Sequence, residues 1–232
     1  MKKLVILSDV HANLAALEAV RGDIARRGLA GAPVCFLGDA VNMGPYPAET
    51  VKVLREMNIL HRVKGNHDRY ASELQRRAYL EKYFRGPEGA DHAEWTVRRL
   101  DGEDKAWLGS APAEISFSLG GAEFACFHAS SGDDEAGFQP DGAAGGVNVV
   151  CGHIHAPYVK TLPGGGLAVN PGSVGSPLDG DTRASYAVLT CSPAPSAEIF
   201  RAAYDVDSVI ADLARVPWGA AIGRVLRKAS LF

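Results

Sequence analysis

The chain is predicted to fold as an α/β sandwich: two mixed sheets flanked by helices in a four-layer α-β-β-α arrangement, with the functional crevice at strand C-termini. Three observations predict it. Six short apolar runs are continuous rather than alternating, which suits strands buried on both faces. Helical patterns separate the first three runs, so the N-terminal half reads β-α-β-α-β with several strands parallel. Each run also stops at a small or polar residue able to do chemistry.

In chain order, LVIL (4–7) ends at Ser8-Asp9, VCFL (34–37) at Gly38-Asp39, and ILHRV (59–63) at Gly65-Asn66. FACF (124–127) then ends at His128, VNVV (147–150) at Gly152-His153, and LAV (167–169) at Asn170. In open α/β sheets the crevice lies beyond the carboxyl ends of the strands, so these polar residues are expected to converge there. The first two helices are expected over 14–25 and 48–57, with Asn13 at the start of the first and Leu14 and Leu17 on its core face. Two more amphipathic patterns, 70–84 and 92–100, are separated by Gly86-Pro87-Glu88-Gly89 and make 69–108 a helical, cap-like insertion.

The stretch 132–146, rich in Gly and Asp, reads as a mobile loop after His128 that either closes over ligand or is solvated slack. Pro163-Gly164-Gly165-Gly166 and Ser192-Pro193-Ala194-Pro195-Ser196 read as hairpin turns, which makes the second half more antiparallel. Residues 208–232 form a helical tail that is basic after Asp212, the reading for which is a helix's solvated face. No repeat or linker divides the chain, so 1–232 is one domain.

Composition narrows the function. Of 232 residues 47% are apolar and 22% charged, and 24 basic against 27 acidic side chains leave a formal charge of −3. That balance excludes a bulk electrostatic partner such as duplex nucleic acid or an anionic membrane. The apolar runs are far shorter than a bilayer span, and Met1-Lys2-Lys3 leads into a strand rather than a signal segment, so a cytoplasmic location is expected. The isolated Cys35, Cys126, Cys151 and Cys191 are expected to be core thiols. His61 and His92 are read as ordinary surface or packing residues, and Trp95, Trp107 and Trp218 as packing anchors, with Trp218 also open to an oligomer contact.

The chemistry sits in Asp9-Val10-His11, Gly38-Asp39, Gly65-Asn66-His67-Asp68, His128 and Gly152-His153-Ile154-His155. Alternating pairs such as Asp9/His11 and His153/His155 at strand ends are expected to point two ligands to one side of the pleat. Carboxylate, imidazole and amide oxygen without sulfur select divalent first-row metals or magnesium over thiolate-held structural zinc.

These ordered blocks, with Gly44-Pro45-Tyr46-Pro47 and Asn170-Pro171-Gly172-Ser173-Val174-Gly175, resemble those of the calcineurin-like metallophosphoesterases. The specific likeness is to the small YfcE-like phosphodiesterase branch of bacteria and archaea, and it extends from Leu4 to about Asp207. The resemblance implies a two-metal site, with Asp9, His11, Asp39 and His155 on one ion and Asp39, Asn66, His128 and His153 on the other, Asp39 bridging. Manganese comes first among the metals, with iron, nickel, cobalt, zinc and magnesium as alternatives. His67, not a ligand in that pattern, is the implied general acid; Asp68 either orients it or opens the following helix as an N-cap. Asn170 and Ser173 are expected to support the GHIH loop.

Asn42 and Met43 stand where the protein-phosphatase branch has Asp and Arg, so the guanidinium that clamps a phosphomonoester dianion is missing. Asn42 also replaces the tyrosine that purple acid phosphatases place on iron. Ala129-Ser130-Ser131 and Leu178 depart from the usual Gly-Ser-Pro and Arg on the substrate side, and Arg183 is the nearest remaining cation there. The implied activity is hydrolysis of a phosphodiester in a small, nucleotide-like or other phosphoester substrate. Its alternatives are a phosphomonoesterase acting on small molecules or phosphoproteins, and a non-catalytic scaffold of the same fold. A homo-oligomer is compatible with the sequence.

Overall fold

The computed structural model describes residues 2–73, 87–142, 146–216 and 218–231. The first half runs β1 (Lys2–Leu7), α1 (Leu14–Arg26), β2 (Val34–Phe36), α2 (Pro47–Glu56), β3 (Ile59–Arg62) and α3 (Asn66–Ser72). There follow α4 (Pro87–Arg99), α5 (Gly102–Gly109), β4 (Glu114–Leu119), β5 (Ala122–Phe127), β6 (Asn148–Val150), β7 (Tyr158–Thr161) and β8 (Leu167–Asn170). The chain closes with β9 (Ala184–Cys191), β10 (Pro195–Ala202), α6 (Val206–Leu213) and α7 (Gly219–Lys228).

Two mixed five-stranded sheets result, ordered β10-β9-β1-β2-β3 and β4-β5-β6-β8-β7. In the first, β1, β2 and β3 are parallel and β9 and β10 antiparallel. In the second, β5, β6 and β8 are parallel, with β4 and β7 antiparallel at the edges. All six apolar runs are strands, and the two parallel triplets direct their C-termini to one end of the molecule.

Continuity of the runs has a direct cause. Val5, Leu7, Val34 and Phe36 face the helices, packing with Leu17, Val20, Val51 and Leu54. Their neighbours Leu4, Ile6, Cys35 and Leu37 face the second sheet, meeting Phe124, Cys126, Val150 and Val169. Both faces of each strand are therefore apolar. The outer face of the second sheet carries Phe127, Val149, Cys151, Leu162 and Ala168, against which Phe138 packs from the segment after β5. All four cysteines are buried and free.

Helices α1 and α2 lie within a residue of their expected bounds, and Asn13 caps α1 by accepting the Ala16 N–H. The expected 92–100 helix begins earlier, at Pro87, because proline's fixed φ and missing N–H suit the first helical position; Pro87-Glu88-Gly89 is thus a helix start, and Gly86 lies outside the described residues. The expected 70–84 helix lies mostly outside the described residues, and α3 begins at Asn66 instead. Ala71, Leu100 and Leu108 place α3, α4 and α5 in the helix layer over the first sheet. Trp218 is buried against Trp95 within the chain, and His61 stacks on Phe117. No described helix is long and apolar enough to cross a membrane.

Hydrogen bonding continues past the strand ends and ties their tips together. Asp9, His11 and Ala12 donate backbone N–H groups to Gly38, Asp39 and Ala40, and Gly152 donates to the His128 carbonyl. Val174 and Gly175 donate to Ser8 and Asp9. Such close approach needs glycine: a Cβ on Gly38 would lie 2.3 Å from Gly65 N, and one on Gly65 would lie 2.1 Å from Asp39 Oδ1 and 2.6 Å from Asp39 N. Gly65→Ala is expected to destabilise the fold by about 1–3 kcal/mol in urea denaturation and to lower bound metal per chain. Gly102→Ala, with open space around it, is expected to change stability by less than about 1 kcal/mol and leave metal content unchanged.

Candidate metal centre

The side chains expected at strand ends do converge, but by a different device from pleat alternation. Strand β1 stops at Leu7 and β6 at Val150, so neither Asp9/His11 nor His153/His155 lies on a strand. Instead the backbone turns left-handed: φ is +55° at Asp9, +50° at His11, +60° at Asp39, +69° at His153 and +58° at His155. Ala12, Asn42 and Met43 share this conformation, and among the described residues Ala229 is the one non-glycine residue with positive φ outside these loops. Such residues cost of order 1–3 kcal/mol each and persist where surrounding structure holds them. Here the inter-strand hydrogen bonds do that holding.

Three imidazoles are oriented by carbonyl groups. His128 Nδ1 donates to Leu37 O at 2.7 Å, His155 Nδ1 to Ser176 O at 2.6 Å, and His11 Nδ1 to Val41 O at 3.3 Å. With the hydrogen on Nδ1, each neutral ring turns a bare Nε2 inward. His11 Nε2 and His155 Nε2 are 3.1 Å apart, both turned into the same buried space. His128 Nε2 lies 3.1 Å from Asn66 Oδ1, 3.3 Å from His153 Nδ1 and 3.3 Å from Asp39 Oδ2.

Both carboxylates divide their oxygens between scaffold and centre. Asp9 Oδ2 accepts the His153 N–H, while Oδ1 is buried with no hydrogen-bond donor, 3.2 Å from His155 Nε2 and 3.8 Å from His11 Nε2. Asp39 Oδ1 accepts the His67 N–H, and Oδ2 stands between His128 Nε2 at 3.3 Å and His11 Nε2 at 3.7 Å. Three sets of donor atoms each fall within 4.8 Å: Asp9, His11 and His155; Asp9, Asp39 and His128; His11, Asp39 and His67. So many acceptors meet in a buried space only around positive charge. Their oxygen and imidazole character fits divalent cations.

Electrostatics give the same reading. Burial pulls the His128 pKa down, but Asp39 and Asp9 outweigh it and push it up to about 10. His155 is raised by Asp9 against its own burial, whereas burial takes His11 down to about 3. Burial opposes ionisation of Asp9 and Asp39, yet the imidazoles beside them hold both below the ordinary carboxylate range. The pocket selects positive charge.

Asp68 does not contact the His67 imidazole among the described hydrogen bonds, and it is not the N-cap of α3; Gly65 is. Both its oxygens accept backbone N–H groups, from Asp39 and Ala40 at 2.8 Å and from Gly65 at 3.3 Å. Its place is under the Asp39 loop, because the carboxylate there answers three buried amides. His67 Nδ1 instead faces the side-chain amide of Asn42 at 3.1 Å, a contact the sequence does not announce. Asn170 Nδ2 donates to Gly152 O, supporting the GHIH loop as expected, whereas Ser173 Oγ donates to Asp9 O and so supports the Asp9 loop instead.

On the substrate side, Arg183 is exposed and paired with Asp181. Segment 129–138 is closed by Phe138 N–H donating to Ala129 O and anchored to α3 through Arg69, which pairs with Asp134 and Glu135. The start of the 132–146 loop is thus tied down; residues 143–145 lie outside the described chain. A cleft of about 660 Å³ opens beside His128 between Lys64 and Arg69 on one side and Ser130, Asp133 and Glu135 on the other.

Comparison with known proteins agrees with this architecture. The profile of the calcineurin-like phosphoesterase superfamily domain matches residues 1–193. The protein MJ0912 of Methanocaldococcus jannaschii is 32% identical over 223 residues, 88% of each chain. A metallophosphoesterase from Sphaerobacter thermophilus superposes with a TM-score of 0.77 at 26% identity, over 98% of this chain and 99% of that one. Protein PH1004 of Pyrococcus horikoshii shares the fold with a TM-score of 0.84 at 17% identity, over 97% and 98% of the two chains. Strands, site loops and profile coincide along the chain, which therefore belongs to the calcineurin-like phosphoesterase superfamily, a group that hydrolyses phosphoesters.

Proposed function

We propose that the chain is a phosphodiesterase whose centre holds two divalent cations, manganese first among them. Asp9, His11, Asp39 and His155 are assigned to one ion, and Asp39, Asn66, His128 and His153 to the other. The observation that carries this reading is the buried meeting of bare imidazole nitrogens with the inward oxygens of Asp9 and Asp39. When bound, such cations supply Lewis-acid activation of water and offset charge on a phosphoryl group.

The protein's own part is positioning. Hydrogen bonds from Nδ1 to backbone carbonyls hold His11, His128 and His155 in the orientation a metal ligand needs. Asp68 and the His67 N–H hold the Asp39 loop and carboxylate. His67 donates a hydrogen bond to the departing alcohol oxygen, and the cleft beside His128 accommodates an organic group of the substrate.

Preference for a diester follows from charge. Clamping a phosphomonoester dianion calls for an available guanidinium. Among the described residues, the cations near the cleft are engaged: Arg69 by Asp134 and Glu135, and Lys64 by Glu73. A singly charged diester needs less added positive charge.

The test is turnover of bis(4-nitrophenyl) phosphate and 4-nitrophenyl phosphate at equal metal loading; the diester is expected to be the better substrate, and preference for the monoester overturns the assignment. Asp39→Asn is expected to lose metal and activity together by elemental analysis and assay. His67→Ala is expected to keep its metal while kcat falls by ~10²–10⁴-fold, and loss of metal from this variant would make His67 a ligand instead. Full activity after chelation would remove the metal from the reading.

A further inference from the structure

Asn42 is wholly buried in the left-handed conformation, φ +70°, directly beside His67. Its amide nitrogen lies 3.1 Å from His67 Nδ1 and 3.3 Å from the His67 backbone oxygen. Its amide oxygen is buried with no hydrogen-bond partner. Which way the amide points is settled by the carbonyl. A backbone oxygen only accepts, so turning the amide over would set Asn42 Oδ1 against His67 O, acceptor against acceptor. The NH2 group therefore faces His67 and donates to both atoms.

An amide N–H donates only to a bare imidazole nitrogen. Nδ1 must then carry the lone pair and Nε2 the hydrogen. This is the reverse of the arrangement at His11, His128 and His155, whose Nδ1 atoms give their hydrogens to carbonyl oxygens. One centre thus holds two tautomers, each set by the scaffold group at Nδ1. The lone-pair-inward form suits a metal ligand and the hydrogen-bearing form suits a donor. An unsatisfied buried oxygen is costly, and Asn42 Oδ1 bears that cost while the amide's donors stay on His67.

We propose that Asn42 is a positioning residue that sets His67 in the Nε2–H tautomer, so that His67 meets the leaving oxygen as a neutral hydrogen-bond donor. The kinetic half of this proposal rests on the phosphodiesterase reading above; the tautomer does not. No proton need be fully transferred from the ring. The reaction is then most effective for alcohols that depart readily as oxyanions, and the departing oxyanion takes its proton from water.

Nitrogen-15 NMR of histidine-labelled, zinc-loaded full-length chain tests the tautomer without turnover, with His67 assigned by the signal lost in His67→Ala. Nδ1 is expected at the position of an unprotonated nitrogen and Nε2 at that of a protonated one. Asn42→Asp, of nearly the same size, offers only acceptors and is expected to move a hydrogen to Nδ1. Asn42→Ala is expected to leave both tautomers populated and to lower kcat roughly five- to tenfold with KM little changed. For diesters with leaving alcohols of graded acidity, the wild type is expected to depend steeply on leaving-group pKa, and Asn42→Asp less so.

A hydrogen on Nδ1 in the wild type, or an unchanged tautomer in Asn42→Asp, overturns the proposal. If the NMR result holds while no phosphoester is hydrolysed, the functional reading fails and the tautomer assignment stands. If hydrolysis is found with equal leaving-group dependence in wild type and Asn42→Asp, the reading survives and the neutral-donor role falls.

Discussion

A buried pocket into which bare imidazole nitrogens and carboxylate oxygens point together is not stable unless positive charge lies among them. His11 and His155 face each other through their Nε2 atoms, and the buried Asp9 Oδ1 sits 3.2 Å from His155 Nε2. In the protein alone, the upward pull on His128 shows the same demand met by a proton. A metal ion meets it with more charge and directional bonds. Apolar packing holds the sheets, but the crevice is organised around this electrostatic requirement.

Holding such a pocket open is a backbone problem before it is a side-chain problem. The chain leaves β1, β2 and β6 through left-handed residues that are not glycine, and each is unfavourable by itself. Inter-strand hydrogen bonds from Asp9, His11 and Ala12 to the Gly38–Ala40 segment, and from Gly175 to Asp9, offset that strain. Asp68 adds the carboxylate that answers the amides beneath Asp39. Glycines at 38, 65 and 152 let the loops touch where a Cβ would strike backbone or a site side chain. The two parallel strand triplets bring the loops to one end, so the fold and the centre share one cause.

Tautomer assignment is where scaffold becomes chemistry. Carbonyl oxygens of Leu37, Val41 and Ser176 take hydrogens from Nδ1 and so direct lone pairs inward. The amide of Asn42 gives a hydrogen to Nδ1 of His67 and so directs a lone pair outward. Neighbouring residues of one type are thereby distinguished by what lies behind each ring. Position in the motif alone does not make that separation.

Much of the architecture was legible in the residues. Continuous apolar runs announced every strand that carries the site, because strands buried on both faces have no polar side to show. Their polar terminators announced the Asp and His side chains of the centre, because buried chemistry needs those residue types at strand ends. Three matters were not legible: the left-handed turns at Asp9, Asp39 and His153, the backbone partners of Asp68, and the amide behind His67. Each depends on which carbonyl or amide a distant loop brings within 3 Å or so, and hydrophobic periodicity carries no record of that. The sequence by itself determined the strands that lead to the centre and the kinds of side chain that gather there. Only the tertiary structure decided how the backbone turns and which nitrogen of each ring faces the centre, because both are set by hydrogen bonds between segments far apart in the chain.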